Sequence, residues 1–391
     1  ASYAYTASST ISSSYAYTAS SAVSASLSQT ASYVITAQTA SYVVNAVSAS
    51  YAYTASSAIS AYTASSAVSA SQSVSASYAY TASSAINASA SLIAVSASYA
   101  LSASFSQNDR TRCFLKVQDG CDYNCSFCTI PMARGKSRSD LVANVVAQAK
   151  TVAASGAKEI VLTGVNLGDF GKGPNGEKHT ESFFDLIQAL DTVEGIERFR
   201  ISSIEPNLLT PEIIEFVANS KKFMPHFHIP LQSGSAEILG LMRRRYKKEL
   251  YQERVALIKK MIPHCAIGVD VIVGFPGETD AHFKETFDFL HDLDISYLHV
   301  FTYSERDNTK ALEIKPVIPI ATRNERNKTL RNLSFMKLQY FTAAHLGNTR
   351  KVLFEDFNKN GMMEGYTDNY IRITTPYRTE WANQIIDWEM R

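Results

Sequence analysis

The chain has 391 residues, with 37 Lys and Arg against 36 Asp and Glu and a formal charge of +1. No global field therefore steers it to nucleic acid or an anionic surface, and any such contact must be a local patch. Five cysteines in a chain this long do not make a disulfide framework. No stretch has the continuous apolar length of a membrane span, and no charged segment precedes an apolar core at the start, so neither a span nor a signal peptide is expected.

Two unlike segments make up this average. Residues 1–108 contain no charged residue and no Gly, Pro, His, Cys or Trp, so all the charge lies in residues 109–391. Tyr-Ala-Tyr-Thr-Ala-Ser-Ser begins at Tyr3, Tyr15, Tyr51 and Tyr78, at irregular spacings and without residues that make tight turns or end helices. We read residues 1–108 as placeholder side chains standing where a real N-terminal domain belongs, with genuine low-complexity sequence as the alternative. No function is legible in residues 1–104. The remainder has the charge content of an ordinary globular protein and the length of one large domain plus a small one.

From residue 113 onward, short apolar runs alternate with amphipathic patterns. Predicted strands cover 114–117, 159–163, 198–203, 226–231, 266–274 and 297–303. Predicted helices cover 139–155, 181–193, 211–220, 236–262 (broken near Tyr246) and 280–293. Thr210 before Pro211, Ser235 and Thr279 are predicted N-caps. Strands alternating with helices at this interval imply parallel β/α units, and six of them make an open, partial barrel of the α/β class. In such a barrel the working residues collect on loops at the C-terminal strand ends. Those loops are the cysteine run after the first strand, Gly164-Val165-Asn166, Glu205-Pro206-Asn207, Gln232-Ser233-Gly234 and Phe275-Pro276-Gly277, all expected at one mouth. After about residue 346, short strands at 351–356, 362–367 and 370–374, with turns at Asn360-Gly361 and Asp368-Asn369, indicate a small antiparallel β module.

The run Gly-Cys-Asp-Tyr-Asn-Cys-Ser-Phe-Cys-Thr-Ile-Pro places Cys121, Cys125 and Cys128 in a C-x3-C-x2-C spacing. Three thiolates on one loop can hold three irons of a 4Fe-4S cluster and leave the fourth open to S-adenosylmethionine (SAM), whose reductive cleavage gives a 5′-deoxyadenosyl radical. Zinc wants four ligands, usually as two separated pairs, and Cys113 and Cys265 do not form a second pair. Zinc and incidental thiols remain the alternatives on spacing alone. A cluster and reduced thiols favour the cytoplasm.

The cysteine run continues into Met132-Ala133-Arg134-Gly135-Lys136-Ser137-Arg138-Ser139. With Glu159-Ile160-Val161-Leu162-Thr163-Gly164-Val165-Asn166, Arg200-Ile201-Ser202-Ser203-Ile204-Glu205-Pro206, His226-Phe227-His228-Ile229-Pro230-Leu231-Gln232-Ser233-Gly234-Ser235, Met242-Arg243-Arg244-Arg245-Tyr246 and Gly268-Val269-Asp270-Val271-Ile272-Val273-Gly274-Phe275-Pro276-Gly277-Glu278-Thr279, residues 110–391 closely resemble the radical-SAM methylthiotransferases. The Phe-Thr-Tyr-Ser-Glu-Arg and Gly365-Tyr366-Thr367-Asp368-Asn369-Tyr370 segments look most like the tRNA threonylcarbamoyladenosine branch. The resemblance implies a partial TIM-like radical-SAM barrel at 109–345, a TRAM-like RNA-binding module at 346–391, and an N-terminal α/β methylthiotransferase domain where residues 1–108 stand. It implies methylthiolation of C2 of N6-threonylcarbamoyladenosine beside the anticodon, with SAM as methyl donor and radical source. The sister branches act on isopentenyladenosine in tRNA or on a ribosomal-protein aspartate, and a non-catalytic iron–sulfur RNA-binding protein is a further alternative. Expected partners are the tRNA anticodon stem-loop and a flavodoxin or ferredoxin electron donor, with the protein a monomer free of membrane. The implied auxiliary 4Fe-4S cluster needs three more cysteines, and residues 1–112 contain none. A second departure is Asp307-Asn308 before Thr309, where relatives usually have glycine. A non-glycine residue is costly if that turn needs positive φ, although Asn tolerates it better than most.

On these grounds Cys121, Cys125 and Cys128 are the expected catalytic cluster ligands. Gly164, Asn166, Glu205 and Gln232, with Ser233, are candidates for seating SAM, and Val273 and Gly274 for contacting its adenine. Each also reads as an ordinary turn or surface residue. Arg134, Lys136 and Arg138, and Arg243, Arg244 and Arg245 around Tyr246, are phosphate and base-stacking candidates, or else a solvated helix face. His226 and His228 share a strand face and could ligate a metal, but without a third ligand they read as hydrogen-bonded packing residues. Cys113 and Cys265 read as core thiols.

Overall fold

The computed structural model describes residues 111–173, 177–178, 180–356 and 360–391 and, before them, only the backbone of short strands between residues 4 and 97. The chain divides into two compact units, Ala1–Asp109 and Arg110–Arg391. In the first, Ala4–Ala7, Ala16–Ala19 and Leu27–Ala31 pair in parallel, with Ala4 opposite Ala16 and Ala16 opposite Ser28. The N-terminal α/β domain that the resemblance implies lies outside the described residues.

The second unit opens with six parallel strands in chain order. They are β1 (Arg112–Lys116), β2 (Glu159–Thr163), β3 (Arg198–Ile201), β4 (His226–His228), β5 (Ala266–Val273) and β6 (Tyr297–Thr302). β1, β2 and β3 form one ladder and β4, β5 and β6 another. The two are joined by the bridge Ser203↔His228 and by Ile204 N–H donating to the His228 carbonyl at 3.1 Å. This is the expected open barrel. The predicted strands at 198–203 and 226–231 are longer than β3 and β4, because past Ile201 and His228 the chain keeps single bridges rather than a full ladder.

Helices cover the outside: α1 (Val142–Ala154), α2 (Phe183–Asp191), α3 (Pro211–Asn219), α4 (Ala236–Leu241), α5 (Lys248–Met261), α6 (Asp280–Asp292) and α7 (Ile320–Ala343). The predicted break near Tyr246 separates α4 from α5. Thr279 caps α6 in a reciprocal box with His282, worth about 1 kcal/mol. Thr210 and Ser235 do not act as side-chain caps: the Thr210 and Ser235 positions are extended but accept no cap hydrogen bond. Pro211, whose fixed φ suits a first turn, starts α3 instead. The sequence gives no warning of α7, because two arginines lie on its buried stripe. Arg323 and Arg326 sit beside Leu330, Leu333 and Phe341 and hide the apolar period. Their guanidiniums are satisfied by Glu305 and by Glu278 and Asp280.

The C-terminal module is an antiparallel sheet of four strands, one more than predicted: β7 (Thr349–Phe354), β8 (Met362–Thr367), β9 (Arg372–Pro376) and β10 (Ile385–Glu389), in the order β9-β8-β7-β10. Its core is Val352, Phe354 and Met363 beneath Trp381 and Trp388. The module closes the N-terminal end of the barrel. Arg198 donates to the Tyr366 and Lys351 carbonyls at 3.2 and 2.7 Å, Arg200 donates to the Asp368 carbonyl at 3.2 Å, and the Tyr370 ring stacks on His226 at 4.3 Å between centroids. The opposite mouth is left for chemistry.

Candidate active site

Three loops from the C-terminal strand ends meet around the cysteines. Gln118, just after β1, is the tie: its amide nitrogen donates to the Gly120 carbonyl (2.8 Å) and Ser137 Oγ (3.0 Å), while its Oε1 accepts from Val165 N–H and Asn166 N–H, both at 2.9 Å. Tyr123 Oη accepts from Asn207 Nδ2 at 2.8 Å, bringing in the loop after β3. Phe127 packs edge-on against Phe275 at 6.2 Å and so engages the loop after β5. Ser126 N–H and Oγ–H donate to the Met242 and Leu241 carbonyls at 3.1 and 2.7 Å, fixing the run against the end of α4. The loop is therefore held by hydrogen bonds from three directions and by ring packing from a fourth before any cofactor binds.

Cys121, Cys125 and Cys128 are free thiols, close enough that Cys125 and Cys128 both act electrostatically on Cys121. Burial, with its two thiol neighbours, pushes the Cys121 thiol up to about 11. Burial likewise raises Cys125, against the pull of Arg244. Each sulfur has a donor aimed at it: Tyr123 N–H at 3.3 Å from Cys121 Sγ, Ile130 N–H at 3.5 Å from Cys128 Sγ, and Arg244 Nη1 at 3.1 Å from Cys125 Sγ. Convergent thiols with N–H donors on their sulfurs suit an iron–sulfur cluster, whose potential such hydrogen bonds tune. Asn166 is 3% exposed, and neither its Oδ1 nor its Nδ2 has a protein partner. A buried amide left so is satisfied only by a ligand or water, which fits a polar cofactor beside the cluster.

The structure redistributes several expected roles. Glu205 reaches the site but is held bidentate by Arg244, and burial raises its carboxyl despite that guanidinium. Gln232 sits at the β4 end with φ 69°, its backbone bridged to β5. Ser233 is fully buried against Thr286 Oγ1 at 3.2 Å and is a packing residue, not a cofactor donor. A Cβ on Gly164 would lie 3.0 Å from Gln118 Oε1, so this glycine admits Gln118. Gly274 (φ 72°) backs onto Arg323, whose Cγ would lie 2.3 Å from an added Cβ, and its N–H donates to Glu278 at 2.6 Å. Val273 is fully buried. Only backbone atoms of this pair remain for an adenine contact.

Tyr246 cannot stack on a base: it is 5% exposed, and its hydroxyl donates to the Pro230 and Leu231 carbonyls at 2.7 and 2.9 Å. Arg244 is likewise no phosphate ligand, being spent on Glu205, Tyr246 and Cys125. Arg243 and Arg245 are exposed, Arg245 lying over the Tyr123 ring at 4.0 Å. Arg134 and Lys136 are exposed and Arg138 half-buried; Arg134 and Arg138 share Asp119 with Lys116. With Lys172 on Asp122 and Asp169, a cationic rim borders the mouth. Cys113 and Cys265 are buried core thiols, as expected, with Cys265 pushed up to about 12 by burial. Sequence reasoning missed Gln118 and the Arg244–Cys125 contact. A polar residue directly after an apolar strand was the available signal for the first; nothing local signals the second.

Asn308 adopts φ 63°, so the turn before Thr309 does require positive φ. His226 donates to or accepts from Tyr297 Oη at 2.8 Å and is a packing residue, whereas His228 faces Asp270 at 2.8 Å. Among the described residues, no helix is long and apolar enough to cross a membrane.

Residues 115–290 match the family model of the radical SAM superfamily. The chain is 39% identical over 283 residues to the threonylcarbamoyladenosine tRNA methylthiotransferase MtaB of Bacillus subtilis, covering 71% of this chain and 62% of that one. It is 42% identical over 264 residues to the MtaB of Aquifex aeolicus, covering 67% and 62%. It is 34% identical over 276 residues to the tRNA-2-methylthio-N(6)-dimethylallyladenosine synthase of Sulfurimonas denitrificans, covering 71% and 63%. The chain thus spans a little over three fifths of the length of these relatives. A 4Fe-4S cluster and SAM are the cofactors of this family, and the three thiols at the barrel mouth could hold such a cluster. Residues 115–290 thus carry the radical SAM match, and the chain is similar in sequence to tRNA methylthiotransferases.

Proposed function

We propose that the protein methylthiolates C2 of N6-threonylcarbamoyladenosine beside the anticodon of tRNA. The observation that carries this reading is the convergence of Cys121, Cys125 and Cys128 at a mouth rimmed by cations, in a chain alike over its readable length to enzymes named for that reaction. When bound there, the cluster with SAM supplies the electron transfer and the 5′-deoxyadenosyl radical. The chain's own residues do the rest. The three cysteines hold the cluster from one side. Arg244, held by Glu205, donates a hydrogen bond to the Cys125 sulfur, which favours the reduced state. Asn166 offers a buried donor and acceptor to SAM, Gln118 fixes the Asn166 loop to the cluster loop, and Gln232 borders the same mouth. Gly164 supports this seat by admitting Gln118.

Arg134, Lys136 and Arg138, with Arg243 and Arg245, bind phosphates of the anticodon stem-loop, and the module at 346–391 is a second RNA contact. Residues 1–108 stand in the place of the N-terminal methylthiotransferase domain, which supplies the auxiliary 4Fe-4S cluster and its sulfur. The electron donor is a flavodoxin or ferredoxin, and the enzyme works as a cytoplasmic monomer.

The test is mass spectrometry of tRNA nucleosides from cells with and without the full-length gene. Loss of 2-methylthio-threonylcarbamoyladenosine on deletion, restored by wild type and not by Cys125→Ala, is expected. Unchanged levels of that nucleoside would refute the reading. Loss of 2-methylthio-isopentenyladenosine instead would move the protein to the branch of its Sulfurimonas relative.

A further inference from the structure

The barrel lumen holds a second cluster that the radical site does not use. His228 Nε2 lies 2.8 Å from Asp270 Oδ1, and the His228 and His299 rings meet edge to face at 5.3 Å between centroids. One donor atom from each of the three side chains lies within 4.8 Å of the others. They come from three neighbouring strands whose register is fixed by the ladder, with Asp270 directly opposite His299. No loop has to move to bring them together.

Several features separate this group from ordinary packing. His226, the other imidazole on β4, commits its Nε2 to Tyr297 Oη and stacks on Tyr297 and Tyr370, which takes it out of the group. His299 is exposed and makes ring contacts with His228 and Tyr297 but no hydrogen bond with a described residue. Asp270 sits in the apolar run Val269-Asp270-Val271-Ile272, where a carboxylate is costly without a partner. With His226 committed elsewhere, Asp270 and His299 supply the second and third ligands beside His228.

We propose that His228, Asp270 and His299 bind a divalent transition-metal cation of the zinc class inside the barrel. Two imidazoles and a carboxylate suit Zn²⁺ and its neighbours rather than Mg²⁺ or Ca²⁺, which prefer oxygen ligands throughout. Ligand atoms about 2.0–2.2 Å from one ion stand a little over 3 Å apart. His228 and Asp270 already stand 2.8 Å apart, so His299, the exposed member of the three, is the one that has to approach. Three protein ligands leave a coordination position open to the lumen. The proposal is independent of which nucleoside the enzyme modifies.

The experiment uses the full-length chain, reconstituted anaerobically and freed of loose metal by gel filtration. Zn²⁺ is titrated in, and zinc and iron per chain are measured separately by elemental mass spectrometry. Wild type is expected to retain one zinc beyond its clusters. His299→Ala and Asp270→Asn should lower zinc affinity at least tenfold with iron unchanged. The triple variant Cys121→Ala, Cys125→Ala, Cys128→Ala should lose iron from the radical cluster and keep the zinc. Because His299 is exposed, its variant should melt like wild type, so a folding defect in Asp270→Asn leaves the test intact. Equal zinc uptake by wild type and His299→Ala, no uptake by either, or zinc lost only with the three cysteines would overturn the proposal.

Discussion

Arg244 places Nη1 3.1 Å from Cys125 Sγ while Nη2 grips Glu205, so one guanidinium couples the cluster loop after β1 to the loop after β3. Both partners are nearly buried, with side-chain exposures of 5% for Arg244 and 13% for Glu205. Removing one side of such a pair strands the other charge, at about 3–5 kcal/mol. Arg244→Ala should therefore lower the thermal midpoint and the reduction potential of the cluster. Arg244→Lys keeps the charge but not the fork, and should recover stability more than potential. Electrochemistry of the reconstituted protein, alongside a thermal melt, separates the two effects. An unchanged potential in Arg244→Ala would show that the contact does not tune the cluster.

At the other end of the barrel, Arg200 holds Glu159 by two bonds, 3.1 and 3.2 Å long. Burial alone would raise the Glu159 carboxyl, but Arg200, Arg198 and Arg112 hold it below its ordinary 4.5. A depressed carboxyl pKa contributes stability that is complete above the unfolded value and is lost as pH falls through the folded one. Glu159→Gln should be several kcal/mol less stable than wild type at pH 7, on the order of the 3–5 kcal/mol of a broken buried pair. The gap should narrow only below pH 4.5, where wild type gives up its advantage. Chemical denaturation across pH 3–7 reads this directly. A gap constant over that range would mean that Glu159 carries no depressed pKa.

These two relationships also mark the boundary of what was legible in the sequence. The six strands of the barrel announce themselves through alternation with helices, and the cysteine loop through its spacing. The buried charges do not. Arg198, Arg200 and Glu159 sit within strands that read as core; the arginines donate to backbone carbonyls some 150–170 positions away, and Glu159 accepts from Arg200, 41 positions away. Arg244 reads as one cation in a basic run, and only the fold turns it inward between solvent-facing Arg243 and Arg245. The arginines on the buried stripe of α7 erase its period for the same reason. Periodicity detects apolar burial, whereas charge burial needs a partner that no local window contains.

Arg134 and Lys136 are exposed at the mouth, and Arg138 is half-buried beside them. If they bind phosphates, Arg134→Ala with Lys136→Ala should weaken binding of an anticodon stem-loop without regard to its loop sequence. The logarithmic salt dependence should become shallower by roughly 0.7–0.9 per contact removed. Fluorescence anisotropy over a salt series measures both. An unchanged slope would place the RNA elsewhere.

Tyr370 caps the barrel floor, stacked on His226 at 4.3 Å and lying 4.9 Å from the Arg200 guanidinium. Tyr370→Ala should loosen the C-terminal module from the barrel, at about 3–5 kcal/mol for a large aromatic lost from packing. Hydrogen exchange should then rise at β4 and across β7–β10 together. A rise confined to residue 370 and its immediate neighbours would show that the arginine hydrogen bonds dock the module without it.

Asn308 holds φ 63° in the turn before Thr309, a conformation that costs most residues but not glycine. Asn is among the residues that bear it best, so Asn308→Gly gains little in the folded state and loses some through a freer unfolded chain. The two effects oppose, and Asn308→Gly should stay within about 0.5 kcal/mol of wild type. Asn308→Ala lacks the local hydrogen bonding that eases this region and should cost about 1 kcal/mol. Asn308→Val, branched at Cβ, should cost more still. The order Gly, Ala, Val in thermal midpoint is the readout. If alanine matched glycine, the turn would be relaxing out of positive φ, and the departure at this position would carry no strain.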